Sequence, residues 1–217
     1  MKILKNWRIN YPNRELFQEQ LGTCPFKAFD HWLNEAKKAK ITEPNAFCLS
    51  TVNENQFPDS RMVLLKAFDK NGFIFYTNYL SQKGKQLEQN HQASMLFWWP
   101  DLHRQIRILG DVIKVDSNTS DQYFHSRDYH SQLSACASKQ SDIIESYQNL
   151  MDLYDQAQDK FKDAQEVKRP NYWGGYLINP IQFEFWQGRH SRLHERVRYK
   201  LTDQTKEKLW QIERLAP

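Results

Sequence analysis

Residues 183–196 of this 217-residue chain read Phe-Glu-Phe-Trp-Gln-Gly-Arg-His-Ser-Arg-Leu-His-Glu-Arg, the densest run of chemically capable groups in the sequence. Ile181, Phe183 and Phe185 alternate with Gln182 and Glu184, as in a strand with one buried face. If residues 192–199 are also extended, Arg192, His194, Arg196 and Arg198 stand at alternate positions and point the same way. Four cationic or potentially cationic groups on one face repel one another unless an anion meets them. Phosphate is the usual one, because arginine presents paired N–H donors to it. A solvated edge strand, charged to prevent unwanted pairing, would carry the same pattern.

Three further sets invite the same question. Arg61 and Lys66 bracket Met62, Val63, Leu64 and Leu65. Four apolar residues in a row indicate a central strand, and about 17 Å of strand would put the two charges near opposite ends and on opposite faces. They either grip anions or snorkel to water. Tyr76 and Thr77 end the next strand, and Ser81, Gln82 and Lys83 open a helix. A helix N-terminus offers free N–H groups and a positive dipole end, so these hydroxyls and Lys83 could cradle a phosphate; Ser81 would equally serve as a plain cap. Tyr123, Arg127 and Ser131 recur at intervals of four residues and could converge on one anion from a helix and the loop after it. Gln140 and Ser141 open a longer helix.

Acid–base machinery is scarce by comparison. The sequence has no Gly-x-Gly-x-x-Gly, no Walker loop, no nucleophile elbow and no His-Glu-x-x-His. Its seven histidines are scattered, and Cys24, Cys48 and Cys136 lie too far apart for a zinc site, so no metal is expected. A chain rich in phosphate-gripping groups and poor in general acids and bases suits an enzyme whose cofactor performs the chemistry.

The elements that must position these groups follow from the hydrophobic periods. Residues 25–40 carry Phe26, Phe29, Trp32, Leu33 and Ala36 at helical spacing. Strands are predicted over residues 46–52, 61–68, 73–78, 93–99 and 104–115, with Gly110 marking a bulge. Residues 81–90 and 117–126 read as helices, 127–139 as a loop, and 141–161 as a long helix with Ile143, Ile144, Tyr147, Leu150, Met151 and Tyr154 on its apolar stripe. Up to four more strands are predicted at 173–178, 182–187, 193–199 and 209–212. Eight or nine short antiparallel strands and three or four helices make a closed or partly closed barrel of the α+β class, read as a single domain over residues 1–217. The net charge of +4 permits anionic small molecules without demanding nucleic acid. A mean hydropathy of −0.81 and the lack of an apolar run near 20 residues argue against a membrane protein, and a cytoplasmic location is expected.

Together these stretches resemble the pyridoxine (pyridoxamine) 5′-phosphate oxidase family, from about Arg8 to Pro217. The most specific block is Glu184-Phe-Trp-Gln, four residues, then Arg192-Leu-His-Glu-Arg196, which fits the family signature. Residues 61–66, 75–78 and 173–176 look like further family blocks. The resemblance implies an FMN-binding split β-barrel of mostly antiparallel strands with flanking helices, dimeric, with FMN at the subunit interface. It implies oxidation of pyridoxine 5′-phosphate or pyridoxamine 5′-phosphate to pyridoxal 5′-phosphate, with molecular oxygen reduced to hydrogen peroxide. By motif position, Arg61, Met62, Val63, Leu64, Leu65, Lys66, Tyr76, Thr77, Lys83, Gln105, Gln140, Ser141, Trp186 and Arg196 look like FMN contacts, with Gln82 where an arginine is common. Lys66, Tyr123, Arg127 and Ser131 look like the grip on the substrate phosphate, and Arg192 and His194 like the catalytic pair at the substrate ring. Arg8 and Tyr11 resemble a segment, within about residues 1–22, that closes over the site. Asp128, Ser134 and Cys136 stand where proline, glycine and tryptophan are usual. These departures bear on substrate affinity. A flavoenzyme of the same fold with another substrate, a non-catalytic carrier of FMN or pyridoxal phosphate, and a nucleic-acid-binding barrel using basic strands and exposed aromatics are the competing readings.

Overall fold

A computed structural model gives the structure, which describes Tyr11, Leu16, residues 18–203 and residues 209–217. Arg8 lies outside the described residues. A single helical turn, α1 (Gln18–Leu21), precedes α2 (Pro25–Lys38), which starts on a proline whose missing N–H is not needed there and ends on Lys37 and Lys38. Strands β1 (Ala46–Val52), β2 (Pro58–Leu64), β3 (Ala67–Asp69) and β4 (Gly72–Asn78) follow, then α3 (Gln82–Gln89), β5 (Gln92–Trp99) and β6 (Arg104–Lys114). Three helices come next: α4 (Ser117–Ser126), α5 (Tyr129–Ala137) and α6 (Tyr147–Phe161). The long strand β7 (Trp173–Gln187) leads to β8 (Glu195–Asp203) and β9 (Leu209–Leu215).

The nine strands of the described residues join one antiparallel sheet in the order β2-β1-β5-β6-β7-β4-β3, with β8 on β7 and β9 on β8. β7 is the branch point. β6 runs along one side of it; on the other, β4 pairs with residues 173–178 and β8 with residues 182–187. Where the branches part, Gly110 faces Pro180 and the register slips by one. A side chain at Gly110 would come within 2.5 Å of the Asn179 carbonyl oxygen, so the bulge has no room for one. The curled sheet closes over α2, whose Phe29, Trp32 and Ala36 are fully buried. Phe29 meets Phe97 edge-on at 5.1 Å, and Trp32 meets Phe185 at 5.2 Å. A second, smaller core forms where Phe124, Leu133, Ala137 and Ala157 of the three later helices pack with Val167 and Trp173.

Six expectations need correction. The strand expected over 61–68 breaks at Leu65, whose N–H donates to the Asn45 carbonyl while its own carbonyl accepts from the Asn45 amide; its side chain turns into the main core. Residues 127–139 are helical over α5, capped by Asp128, whose carboxylate accepts the Ser131 N–H at 2.9 Å. The long helix starts at Tyr147 behind a Ser146 cap, leaving Ile143 and Ile144 exposed in the preceding turn. The strands expected over 173–178 and 182–187 are one, because the bulge absorbs Pro180. Finally, residues 192–194 are not extended. Ser191 and Arg192 take left-handed φ values of 55° and 62° in a 3-10 turn, and β8 begins at Glu195. The described residues hold six α-helices, not three or four, because α1 and α5 were not foreseen and the remaining stripes were.

Candidate active site

A cavity of about 670 Å³ opens between β2, β4, α3 and the α4–α5 corner. It brings together Arg61, Met62, Val63, Leu64, Lys66, Tyr76, Thr77, Lys83, Tyr123, Arg127 and Gln140. The break at Leu65 explains why Arg61 and Lys66 share it rather than facing apart: the chain turns before Lys66, whose N–H joins the carbonyl of Ile74 in β4. Arg61 is tightly held. Its guanidinium pairs with Asp59 at 2.7 Å and donates to Thr51 Oγ1 at 2.6 Å and to Gln86 Oε1 at 3.0 Å. A hydrogen bond from Gln86, with Arg61 beside it, holds the Asp59 carboxyl below its usual range.

The charges deeper in the cavity are uncompensated. Lys83, on the first turn of α3, is buried, and Nζ meets only neutral oxygens: Gln140 Oε1 at 3.2 Å, Thr77 Oγ1 at 3.4 Å and Ser81 Oγ at 3.5 Å. Burial, and secondarily Arg61, lowers its pKa. Ser81 caps α3 through the Gly84 N–H. Gly84 lies so close to Tyr79 that a Cβ would fall 2.1 Å from the Tyr79 carbonyl oxygen. Across the cavity, Arg127 lies over the Trp173 ring at 4.8 Å, and its Nη1 is buried with no hydrogen-bond partner among the described residues. Burial lowers the Arg127 pKa as well. Tyr123 stacks on Tyr76 with ring centroids 3.8 Å apart. Among the described residues, no carboxylate forms an ion pair with Lys66, Lys83 or Arg127. A buried lysine facing only hydroxyls and an amide, with an orphaned guanidinium nitrogen opposite, is a donor set made for phosphate oxygens. The residues therefore fit a phosphorylated cofactor and a phosphorylated substrate.

Other expected positions fall outside this cavity. Leu65 is in the core, Gln82 is exposed on α3, Ser141 is exposed with φ 76°, and Ser131 sits in the first turn of α5. Gln105, Trp186, Arg192, His194, Arg196 and Tyr11 belong to a second cluster. Trp98, Gln105, Trp186 and Arg196 are consecutive cross-strand neighbours on β5, β6, β7 and β8. The Trp186 ring lies 4.7 Å from His194, and Tyr11 packs 5.7 Å from His194 and 4.3 Å from His103. Arg196 Nε donates to Glu184 Oε1 at 2.9 Å, and its Nη1 donates to the Ala216 carbonyl. The other Glu184 oxygen meets Arg107, and Arg198 pairs with Glu213. The four-cation face expected from alternation is thus divided: Arg196 and Arg198 are neutralised on β8, while Arg192 and His194 stand on the turn before it. No residue of the second cluster lines this cavity: Tyr76 pairs with Gly175 near the start of β7, and Trp186 is eleven residues further along the same strand.

Trp173, Asn78, Ala135 and Ser138 also line the cavity and were not expected there, whereas Ser134, one of the departures from the family pattern after Arg127, does line it. Asp59, two residues before Arg61 on the same strand face, was a legible signal for that ion pair. The Glu184 pairing was not, because its partners come from two other strands.

Comparison with solved structures gives the class. The fold is that of PhzG from Burkholderia lata 383, solved with tetrahydrophenazine-1-carboxylic acid, at TM-score 0.85 and 28% identity, covering 95% of this chain and 100% of that one. It is also that of a pyridoxamine 5′-phosphate oxidase-related, FMN-binding protein from Nostoc punctiforme PCC 73102, at TM-score 0.71 and 17% identity, covering 89% and 98%. The molecule is a split β-barrel with flanking helices. The family model "Pyridoxamine 5′-phosphate oxidase" matches residues 33–157, and "Pyridoxine 5′-phosphate oxidase C-terminal dimerisation region" matches residues 173–217. The chain is 47% identical over 214 residues to a pyridoxine/pyridoxamine 5′-phosphate oxidase of Actinobacillus succinogenes, covering 99% of each. It is 45% identical to the chloroplastic pyridoxine/pyridoxamine 5′-phosphate oxidase 1 of Arabidopsis thaliana, spanning 97% of this chain and 40% of that protein. The chain belongs to the pyridoxamine 5′-phosphate oxidase family.

Proposed function

We propose that this protein is an FMN-dependent oxidase that converts pyridoxine 5′-phosphate and pyridoxamine 5′-phosphate to pyridoxal 5′-phosphate, with molecular oxygen as final acceptor and hydrogen peroxide as by-product. The observation that carries the reading is the pair of uncompensated cations in one cavity, buried Lys83 and orphaned Arg127. Two phosphates require two grips. Lys83, Thr77, Gln140 and Arg61 would hold that of FMN, with Ser141 at the rim. Lys66, Tyr123 and Arg127 would hold that of the substrate, with Ser131 beside them in the first turn of α5, outside the lining. Bound FMN supplies a two-electron acceptor for a hydride from the substrate's 4′ carbon. The chain's own residues bind and orient, which supplies much of the acceleration when the reacting atoms are held in line.

Arg192 and His194 complete the site as the pair at the pyridine ring, with Tyr11 and Arg8 closing over it. None of them lines the cavity of their own chain, and we assign them, with Trp186, Gln105 and Arg196, to the flavin held by a second copy of the chain. Met62 supports this: it lines the cavity yet leaves 65% of its surface in water, as a residue awaiting a partner would. We place FMN at the interface of a homodimer.

Anaerobic addition of pyridoxine 5′-phosphate to the purified yellow protein should bleach the visible flavin bands, and air should restore them. Bands unchanged by either phosphorylated vitamer would overturn the substrate. The likeness to PhzG makes a reduced phenazine acid the competitor to test beside them. A protein that FMN cannot reconstitute would overturn the cofactor.

A further inference from the structure

The loop from β7 to β8 is organised by Arg189. Its guanidinium pairs with the Glu195 carboxylate, and its backbone N–H donates to Nδ1 of His194 at 3.1 Å. Just before it, the Gly188 N–H donates to the His103 carbonyl at 2.8 Å. The imidazole is held sideways by the rings of Trp186 and Tyr11.

A backbone amide has a hydrogen and no accessible lone pair, so it can only donate. Nδ1 of His194 must therefore present its lone pair, and the ring proton must sit on Nε2. An imidazolium, protonated on both nitrogens, would point one hydrogen at another and lose the bond to Arg189. We infer that His194 acts on the substrate as a neutral hydrogen-bond donor through Nε2–H, and is not the base that receives the substrate's proton. The role rests on the reading that His194 meets the substrate ring; the tautomer does not.

The surroundings favour the neutral ring. Glu195, the acidic group beside His194, has its carboxylate occupied by Arg189 and approached by Arg214 at 3.7 Å. No ion pair joins His194 to a described carboxylate. Arg192, two residues away, adds a positive charge; burial first, then Arg192, lowers the His194 pKa. With the only lone pair of the ring engaged, His194 has no site for the O–H proton of a substrate alcohol; bound FMN would supply the hydride acceptor, and the proton would leave to water.

Histidine-labelled holoenzyme, examined by 15N NMR with His194→Gln to assign the resonance, reads the tautomer directly. A pyridine-like Nδ1 and a protonated Nε2 across the active pH range are expected. A proton on Nδ1 there would overturn the inference whatever the kinetics. His194→Gln, whose amide N–H can reach the Nε2 position, should keep turnover within about tenfold of the unsubstituted enzyme, whereas His194→Ala should lose more. Equal losses of about 10²–10⁴-fold in both, the size of a missing general base, would overturn the donor role. Unaltered turnover in both would overturn it through the site reading, while the NMR spectrum still reports the tautomer.

Discussion

Replacing Lys83 with methionine separates a ligand-binding cation from a structural one. Lys83 is buried, and its Nζ lies 3.2–3.5 Å from three neutral oxygens, all long contacts. Those oxygens have other partners: Thr77 donates to Gln140, and Ser81 donates to the Asn78 carbonyl and accepts from Gly84. Methionine keeps the stem and removes a buried charge that has no counter-ion, so the apoprotein should lose no more than about 1 kcal/mol. The bound phosphate should lose a charge-assisted hydrogen bond, about 1.5–3 kcal/mol. At ~1.4 kcal/mol per decade, FMN affinity falls about 10–150-fold. Fluorescence titration of apoprotein with FMN measures the first quantity, and thermal denaturation without FMN the second. The pH dependence adds a sign. Burial lowers the Lys83 pKa from the ordinary 10.5, so the folded apoprotein holds fewer protons than the unfolded chain between the lowered value and 10.5. Stability of the apoprotein from this group therefore rises with pH across that window, and the rise disappears in Lys83→Met. Unchanged FMN affinity, or an apoprotein destabilised by several kcal/mol, would refute the reasoning.

Arg192→Ala should lower turnover far more than FMN content, since Arg192 stands in the second cluster and pairs with no described carboxylate; absorbance ratio and steady-state rate read the two. Glu184→Gln removes the carboxylate shared by Arg107 and Arg196 and should cost about 1.5–3 kcal/mol in denaturant unfolding, with weaker FMN retention following from a loosened Arg196. Gly84→Ala places a Cβ 2.1 Å from the Tyr79 carbonyl oxygen, so the start of α3 must shift; a loss of about 1–3 kcal/mol and reduced FMN binding are expected together.

The sequence disclosed most of the frame because burial imposes a period. β1 and α4 match the predicted bounds, and Ser81 caps α3 as its position before Lys83 suggested. Errors came where a local pattern imitated another element. Arg192, His194, Arg196 and Arg198 alternate through a turn that is not extended, because left-handed backbone at Ser191 and Arg192 leaves no trace in residue type. α5 buries only Leu133 and Ala137, too thin a stripe to outweigh its polar residues, although Asp128 was a readable cap. Ile143 and Ile144 joined a helical stripe on paper and stand in water in the folded chain. Within the candidate site, the residues of one hairpin and one helix start were legible by spacing. The separation of Arg192 and His194 from the cavity was not, since it depends on the two halves of 173–187 being one strand.

That single strand also shapes how damage would spread. Under the interface reading, each active centre borrows one end of β7 from each subunit, so neither polypeptide owns a complete one. Two impaired variants, Lys83→Met assayed at an FMN concentration too low to load it and Arg192→Ala, would then complement each other when their subunits are exchanged: the mixed dimer gathers both lesions into one centre and leaves the other whole. Activity recovered on mixing, and absent when subunit exchange is blocked by cross-linking beforehand, is the expected result. Any inheritance of two different defective copies would behave according to which end of the strand each defect occupies.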